Sequence, residues 1–364
     1  MLKYLVDTMK KILCTVALLS SFSAFAQPAG YYDPALGLNG QSLRAALSSI
    51  IRPHTELSYT PGLWNAYYTT DKKPNGKVWD MYSDRPGGTP AYEYSLGGDQ
   101  CGSVSPTAEN VCYNREHTWP QSKFSSEPPM QTDLFIVYPS DYFVNFSRGD
   151  RPYGKVGSAT QTFTNGGRIG SNVYPGAPSA SCYEPIDSFK GDLARTYFYV
   201  STCYRNDSMK FISWEMATLA SLKSWSAQML LEWHHSDPVS NKEIDRNNAV
   251  YALQGNRNPF IDRPLFADCI WGTSDCSATA VIDTKNDPVV YIYPNPASDN
   301  MIVTTNDKTI EHKIIVSDIT GRVLYNNSFY ESTSVSTSDF KTGLYLVTVK
   351  SINSNNTYKV SIAH

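Results

Sequence analysis

The sequence lacks an excess of basic residues. Its 364 residues contain 31 Lys and Arg against 34 Asp and Glu, which gives a formal net charge of −3. A protein that neutralises many phosphates along a nucleic acid is usually basic. The charge balance therefore argues slightly against a long electrostatic footprint on DNA or RNA. Any phosphate chemistry must depend on local positive charge and on a bound cation.

Long apolar runs are missing from most of the chain. Near the start, Lys3, Lys10 and Lys11 precede an apolar run from Ile12 to Leu19, and Ala24-Phe25-Ala26 provides a small-x-small cleavage site. We therefore predict that residues 1–26 are a signal peptide. No later stretch approaches the ~20 apolar residues of a membrane span. The sequence predicts a secreted protein without a membrane span.

The cysteines lack the C-x₂-C spacing that is typical of zinc sites. Of the seven cysteines, Cys14 falls in the signal peptide, which leaves six in the exported chain. An even number in an exported protein favours disulfides over metal ligation. Proximity along the chain predicts the pairs Cys101–Cys112, Cys182–Cys203 and Cys269–Cys276.

Histidine is scarce, with six residues in the whole chain. One of them, His117, follows Glu116 in the polar and aromatic segment Asn114–Pro120, and Asn145 lies about thirty residues further on. A hard divalent cation takes oxygen ligands such as those of Glu116 and Asn145. A neutral histidine beside that cation takes a proton from an attacking water. The pattern predicts metal-assisted hydrolysis of a phosphodiester.

These residues carry a resemblance to a known family. The segment from about Tyr31 to Gly272 resembles the endonuclease I family of secreted bacterial nucleases, which belong to the His-Me finger (ββα-metal) group. The matching motifs occur in the family's order and cover most of the exported chain. They are Leu63–Tyr67, Pro74–Asp80, Asp99–Gly102, Cys112–His117, Thr132–Leu134, Pro139–Asp141, Val144–Asn145, Lys190–Asp192 and Gln254–Asp262.

The resemblance implies a role for individual residues. His117 matches the general base, Glu116 the first metal ligand and Asn145 the amide ligand on the finger helix. Arg148 matches the arginine of the family's Val-Asn-x-x-Arg run. The implied cofactor is Mg²⁺, with Mn²⁺ or Ca²⁺ as substitutes, and the implied substrates are DNA and also RNA. We expect the enzyme to be a monomer.

The chain departs from the family pattern at several positions. Phe135 stands where the family often has His, and Asp150 stands where it usually has Asn. The segment between the expected finger strands is short, and Lys123 is its one basic residue. The arginine that steadies the leaving group is therefore left open. The candidate arginines are, in order of preference, Arg148, Arg115 and Arg257. Lys123 is a further candidate for binding the substrate phosphate.

The predicted fold class is α+β. A His-Me finger nuclease domain with several helices and irregular loops spans 27–275. In its finger, a strand carries Glu116 and His117, a second strand lies near Leu134–Tyr138, and a helix presents Asn145. Apolar spacing predicts further helices over Asn39–Ile51, Asp187–Cys203 and Trp225–His234. Ser240 and Glu243 form a capping box that opens a helix through Leu253, closed by Gly255.

A polar block follows this capping box. It contains Arg246 and Asn247 and continues to Asn256-Arg257-Asn258. We expect it to lock the finger in place through buried hydrogen bonds rather than to contact substrate.

The C-terminal part differs in composition from the rest. Residues 276–290 read as a linker, and residues 291–364 alternate apolar and polar residues, which predicts a small all-β sandwich. Tyr293–Pro296, Asp318-x-x-Gly321 and Gly343–Tyr345 resemble motifs of the type IX secretion C-terminal sorting domain. That resemblance implies a partner, the type IX secretion machinery, and export through the periplasm and outer membrane. An adhesive or sugar-binding module is less favoured because no aromatic platform pattern is present.

The sequence therefore predicts a secreted, Mg²⁺-dependent endonuclease with little sequence specificity. Two alternatives stay open. One is a zinc-dependent hydrolase that uses His117, His234 and His235, although adjacent helical side chains diverge by about 100° and do not easily face one ion. The other is a surface adhesin with a degenerate catalytic segment, an idea that Phe135 and Asp150 allow.

Overall fold

The computed structural model describes residues 27–274, 276, 290–305, 310–351 and 355–364. The predicted signal peptide and nearly all of the predicted linker lie outside the described residues. The chain divides into two compact units, residues 1–279 and 280–364, and each is described by itself. No helix in the described ranges is both long and apolar enough to cross a membrane.

The first unit is mainly helical, with three small antiparallel sheets. Its α-helices are Gly40–Ile51, Gly62–Thr70, Tyr142–Arg148, Lys190–Cys203, Ser224–Ser236, Asn241–Gln254, Pro259–Asp262 and Leu265–Trp271. Its strands are β1 (Tyr113–His117), β2 (Val137–Asp141), β3 (Val156–Thr162), β4 (Arg168–Asn172), β5 (Ser181–Glu184), β6 (Ala217–Thr218) and β7 (Ser221–Leu222). The sheets are β1-β2, β3-β4-β5 and β6-β7.

The helix predicted near the start of the unit is confirmed. Gly40–Ile51 begins after Asn39, whose side chain accepts a hydrogen bond from the Gly40 backbone N–H at 3.0 Å. Leu43, Leu47 and Ile51 recur on one face and are fully buried. The sequence spacing therefore identified the face that packs on the core.

The helix that opens at the capping box is also confirmed. Ser240 and Glu243 exchange their side-chain hydrogen bonds, and the helix runs from Asn241 to Gln254. It ends at Gly255, whose φ of 79° lies in the left-handed region that glycine adopts most readily.

The most buried helix is Lys190–Cys203, in which every residue from Gly191 onward is buried. It was predicted to begin at Asp187, but Asp187–Phe189 forms a 3₁₀ turn before it. The helix predicted over Trp225–His234 extends from Ser224 to Ser236. Both helices contribute aromatic side chains to a single core that fills the first unit.

Strands β1 and β2 pair antiparallel, with Tyr113 opposite Asp141 and His117 opposite Val137. The second strand was expected near Leu134–Tyr138 and in fact begins three residues later. The reason is a turn at Asp133, whose carboxylate accepts from the Phe135 backbone N–H at 2.9 Å. The Asp133 carbonyl also accepts from the Ile136 N–H at 2.8 Å. Residues 134–136 therefore form the turn and not the strand.

The helix Tyr142–Arg148, called the site helix below, follows β2 directly. Asp141 ends β2 and caps the site helix, because its carboxylate accepts a hydrogen bond from the Val144 N–H at 2.9 Å. The Tyr94 hydroxyl donates to the same carboxylate at 2.6 Å. The helix that presents Asn145 is thus fixed to the strand pair at its first residue.

Two of the three predicted disulfides are present, Cys101–Cys112 and Cys269–Cys276. The predicted pair Cys182–Cys203 is wrong, because both residues are free, buried thiols. Cys182 lies on β5 and Cys203 ends a helix of 14 residues. A helix of that length spans about 20 Å, so closeness along the chain does not bring the two sulfur atoms together.

The polar block predicted to have a structural role is buried. Arg246 donates to the Asp71 carboxylate at 2.8 Å and to the Val137 carbonyl of β2 at 3.1 Å. Asn258 donates to the Arg195 carbonyl at 3.1 Å and caps the helix Pro259–Asp262. These bonds join the C-terminal helices of the unit to β2 and to the buried helix Lys190–Cys203.

The second unit consists of two antiparallel sheets around one apolar core, as the alternating pattern predicts. One sheet has the order β11-β10-β13-β14 and the other β12-β9-β8. The strands are β8 (Val290–Tyr293), β9 (Asn300–Thr305), β10 (His312–Asp318), β11 (Val323–Phe329), β12 (Ser332–Ser336), β13 (Gly343–Lys350) and β14 (Asn355–Ile362). Buried residues from both sheets, among them Val303, Ile314 and Val347, form the core.

Candidate active site

A cleft of about 320 Å³ opens where β1 meets the site helix. Glu116 and His117 reach it from the end of β1, and Asn145 reaches it from the site helix. The segment after β1 closes another side of the cleft. Its lining also includes Arg115, Gln121, Ser122, Phe146 and Asp150. The structure therefore brings together the two predicted metal ligands, Glu116 and Asn145, and the predicted general base, His117.

His117 is buried at the base of the cleft. Its Nε2 lies 2.9 Å from the Gln131 carbonyl oxygen, and a carbonyl only accepts, so Nε2 carries the proton. Nδ1 is then an unprotonated nitrogen with a lone pair. Burial, assisted by the charge of Arg115, lowers the pKa of His117 to about 4, against the opposing effect of the Gln131 carbonyl. The ring is a neutral base at physiological pH.

Aromatic neighbours fix the plane of the His117 ring. Tyr59 stacks on it with ring centroids 6.2 Å apart and an interplanar angle of 18°. Phe124 contacts it from another direction, with a centroid distance of 6.1 Å. Together with the Gln131 bond, these contacts leave the imidazole little freedom to rotate.

Glu116 is a buried carboxylate with two strong side-chain donors. The Tyr82 hydroxyl donates to Oε1 at 2.5 Å, and Arg148 Nη1 donates to the same oxygen at 3.0 Å. Burial raises the pKa of Glu116, while the Arg148 charge and the Tyr82 hydrogen bond act to lower it. Because both donors use Oε1, the carboxyl group is held in one orientation and Oε2 is spared for another partner.

Asn145 is oriented by β1. Its side-chain Nδ2 donates to the Arg115 carbonyl at 3.2 Å. The amide Oδ1 is therefore the atom that is left to act as an electron-pair donor. An amide oxygen and a carboxylate oxygen in one cleft form a hard donor set.

Arg148 lies behind Glu116 and not in the cleft lining. It is 1 % exposed, and it donates to Glu116, to the His117 carbonyl at 3.1 Å and to the Thr118 carbonyl at 2.7 Å. Its guanidinium also lies 4.7 Å from the centre of the Tyr153 ring. The geometry makes Arg148 a support for the carboxylate and for the end of β1.

The other phosphate-binding candidates lie in three different environments. Arg115 lines the cleft, and its guanidinium is 3.7 Å from the centre of the Tyr59 ring. Lys123 pairs with Asp150 at 3.6 Å beside the cleft. Arg257 is buried elsewhere, where it pairs with Asp262 at 2.7 Å. The structure thus brings Arg115 to the site and leaves Arg257 in the polar block.

Residues 39–265 match the profile of the Endonuclease I family, which covers more than half of the chain. The chain belongs to the endonuclease I family. Residues 291–363 match a secretion system C-terminal sorting domain, as the resemblance of that segment implied.

Three curated relatives of this endonuclease I family chain are nucleases, and two of them are named extracellular ribonucleases. An extracellular ribonuclease of Bacillus subtilis (strain 168) is 32 % identical over 265 residues, which cover 70 % of this chain and 83 % of that protein. An extracellular ribonuclease of Bacillus amyloliquefaciens is 34 % identical over 253 residues, covering 66 % and 78 %. Endonuclease-1 of Buchnera aphidicola is 26 % identical over 132 residues, covering 36 % and 46 %. The sorting domain and these relatives identify a protein of the cell surface or the medium.

The two positions that depart from the family pattern have clear environments. Phe135 is buried, and its ring centroid lies 4.7 Å from that of Tyr199. Asp150 lines the cleft and accepts a hydrogen bond from the Ser122 hydroxyl. Phe135 therefore serves the core, and only Asp150 alters the surface that this family member presents to substrate.

The histidines of the zinc alternative are engaged elsewhere. His234 is buried with its ring nitrogens near Arg195 and the Pro264 carbonyl, and His235 pairs with Asp268 at 2.8 Å. Within the described ranges, the one close group of three metal-ligating side chains is His54, Asp133 and Cys203. The Asp133 carboxylate there already accepts from the Tyr199 and Tyr204 hydroxyls at 2.8 and 2.7 Å.

Sequence reasoning missed the groups that hold the candidate site in place. Tyr82 precedes Glu116 by 34 residues and bonds to both Glu116 and the Tyr153 hydroxyl. The group that sets the His117 tautomer is a backbone carbonyl, that of Gln131. A backbone carbonyl has no sequence signature, and one Tyr among 25 has none either.

Proposed function

We propose that this endonuclease I family member is a secreted, divalent-metal-dependent endonuclease with a His-Me finger, which hydrolyses phosphodiester bonds in DNA and RNA with little sequence specificity. One observation carries the proposal. A neutral histidine, fixed through Nε2 to the Gln131 carbonyl, shares a cleft with the carboxylate of Glu116 and the amide of Asn145. The order strand, strand, helix around them supports the finger assignment.

The residues present fit a hard cation. Glu116 offers a carboxylate oxygen and Asn145 an amide oxygen, which suits Mg²⁺, with Mn²⁺ or Ca²⁺ as substitutes. A cation that keeps few protein ligands has room for water and for a substrate phosphate. Glu116 and Asn145 would hold the cation, which would polarise the scissile phosphate and stabilise the leaving 3′ oxygen.

The proton transfer falls to His117. Its Nδ1 accepts a proton from the attacking water while Nε2–H stays bonded to Gln131. Burial destabilises the charged imidazolium that results, and it thereby lowers the pKa of His117. The imidazolium therefore returns the proton to solvent readily through the cleft.

The arginines take different parts in this proposal. Arg148 positions Glu116 through their buried ion pair at 3.0 Å. Arg115 lines the cleft, and its guanidinium donates to the Tyr59 carbonyl at 2.7 Å. In this proposal it contributes positive charge next to the bound phosphate. Lys123 adds positive charge beside the cleft, partly neutralised by Asp150. Local charge of this kind suits a nuclease that contacts few phosphates and reads no base sequence.

The substrates follow from the site and from the relatives. The cleft contains groups for a phosphodiester, a feature that DNA and RNA share. The relatives are named ribonucleases and an endonuclease, which supports activity on both. We further propose that the enzyme is a monomer and that its sorting domain binds the type IX secretion machinery.

The test is direct. Purified protein is incubated with plasmid DNA and with RNA, in Mg²⁺ and with a chelator. We expect cleavage of both substrates in Mg²⁺ or Mn²⁺ and none with chelator. Stoichiometric zinc in the purified protein, with activity lost when zinc is stripped, would favour the zinc hydrolase. No cleavage in any divalent cation would favour the adhesin.

A further inference from the structure

The site helix exposes a large aromatic side chain beside the candidate active site. Phe146 is 70 % exposed, more than any other aromatic residue in the described ranges. It follows Asn145 directly and lines the same cleft as Glu116 and His117. Single exposed apolar residues are common on protein surfaces, but this ring stands on the wall of the cleft that holds the candidate metal ligands and base.

The exposed ring is stacked against a second aromatic ring of the site helix. Tyr142 precedes Phe146 by one helical turn, and the two rings are parallel within 6° at a centroid distance of 6.2 Å. The core-facing positions of the site helix are filled by Val144 and Arg148, which are buried. Phe146 therefore contributes little to the packing of the core.

We propose that Phe146, supported by Tyr142, stacks on an unpaired nucleobase next to the scissile phosphate, and that the enzyme thereby prefers single-stranded nucleic acid. Aromatic side chains bind single strands by stacking, and they accept every base because each base has a π face. Within a duplex, the faces of the bases are covered by their neighbours. The inference rests on the nuclease function proposed above.

The neighbouring charges are compatible with this occupant. Asp150 is the acidic side chain nearest in sequence to Phe146 on the cleft wall. Lys123, 3.6 Å away, partly offsets its charge, and the Ser122 hydroxyl donates a hydrogen bond to it. We place the phosphate of that nucleotide in the cleft with Glu116 and Asn145, where the proposed cation would offset its charge. Stacking without base-edge contacts also agrees with low sequence specificity.

The experiment measures kcat/KM on a single-stranded oligonucleotide and on its duplex for the wild type, Phe146→Ala and Phe146→Leu. Stacking on one base is worth about tenfold or more. We expect Phe146→Ala to lower kcat/KM on the single strand by about tenfold, and at least five times more than on the duplex. Phe146→Leu should lose most of this preference, because it keeps apolar bulk but lacks a ring.

A second measurement ties the ring to a base. In an oligonucleotide with one abasic position, the wild type should cut the phosphates next to that position about tenfold more slowly than the same phosphates of the intact strand. Phe146→Ala should cut both at the same rate, and the cuts are mapped by gel electrophoresis. Tyr330→Ala, which removes an exposed aromatic from the second unit, is the matched control. Equal losses on both substrates, no loss, or full activity of Phe146→Leu would overturn the inference. A wild type without cleavage on any substrate would instead refute the proposed function.

Discussion

Replacing Arg148 with Met tests whether this arginine supports the site from behind. Arg148 is buried, and its guanidinium bonds the Glu116 carboxylate and the carbonyls of His117 and Thr118. Met keeps an unbranched apolar stem but leaves the carboxylate without its cation. Removing one partner of a buried ion pair lowers the free energy of unfolding by about 3–5 kcal/mol.

The expected loss of stability is large enough for a thermal melt. For a unit of 150–250 residues, each kcal/mol shifts Tm by about 2–4 °C, so Arg148→Met should lower Tm by roughly 6–20 °C. The melt is recorded by circular dichroism in chelator, because a bound cation adds its own stabilisation. Arg151→Met is the control: Arg151 lies near the surface and donates to Ser147 and Ser181. The control substitution should lower the free energy of unfolding by about 1 kcal/mol or less. A Tm for Arg148→Met equal to that of the control would refute the supporting role.

Three further predictions concern the metal, the thiols and the sorting domain. Asn145→Ala should raise the Mg²⁺ concentration for half-maximal activity and Asn145→Asp should retain binding, in a Mg²⁺ titration; equal values for both variants would remove Asn145 from the ligand set. Alkylation of denatured, unreduced protein should label Cys182 and Cys203, as detected by mass spectrometry, and labelling at neither residue would restore the third pair. Reduction should lower the free energy of unfolding by about 2–4 kcal/mol per disulfide. Truncation at about residue 283 should preserve activity, whereas deletion of residues 291–364 in the native host should trap the enzyme in the periplasm; normal amounts of the deleted form in the medium would contradict a sorting role.

The sequence predicted those features that depend on neighbours along the chain. Glu116 and His117 are adjacent, and Asn145 lies on a helix that Asp141 caps through a local hydrogen bond. The helix after Ser240 follows from a capping box of four residues and one glycine. Such interactions are set by residues a few positions apart, so their pattern is visible before folding.

The features that the sequence did not predict depend on distant contacts. Arginine is usually exposed in folded proteins. Arg148 is buried because Glu116, Tyr153 and Tyr197 surround it. Arg257 was named both as a phosphate candidate and as part of the structural polar block, and its bonds to Asp262 and Asn248 agree with the second role. The strand β2 began late because Asp133 forms a local turn whose bonds compete with the sheet.

The most direct measurement compares the nuclease activity of His117→Ala with that of the wild type in Mg²⁺, at a temperature where both remain folded. The proton-accepting role of His117 rests on its Nε2 bond to Gln131 and on its place beside Glu116 in the cleft. Loss of a general base lowers a rate by about 10²–10⁴-fold. We expect a loss in that range with metal affinity retained. Activity within about threefold of the wild type would contradict the account, because a general base contributes far more than that.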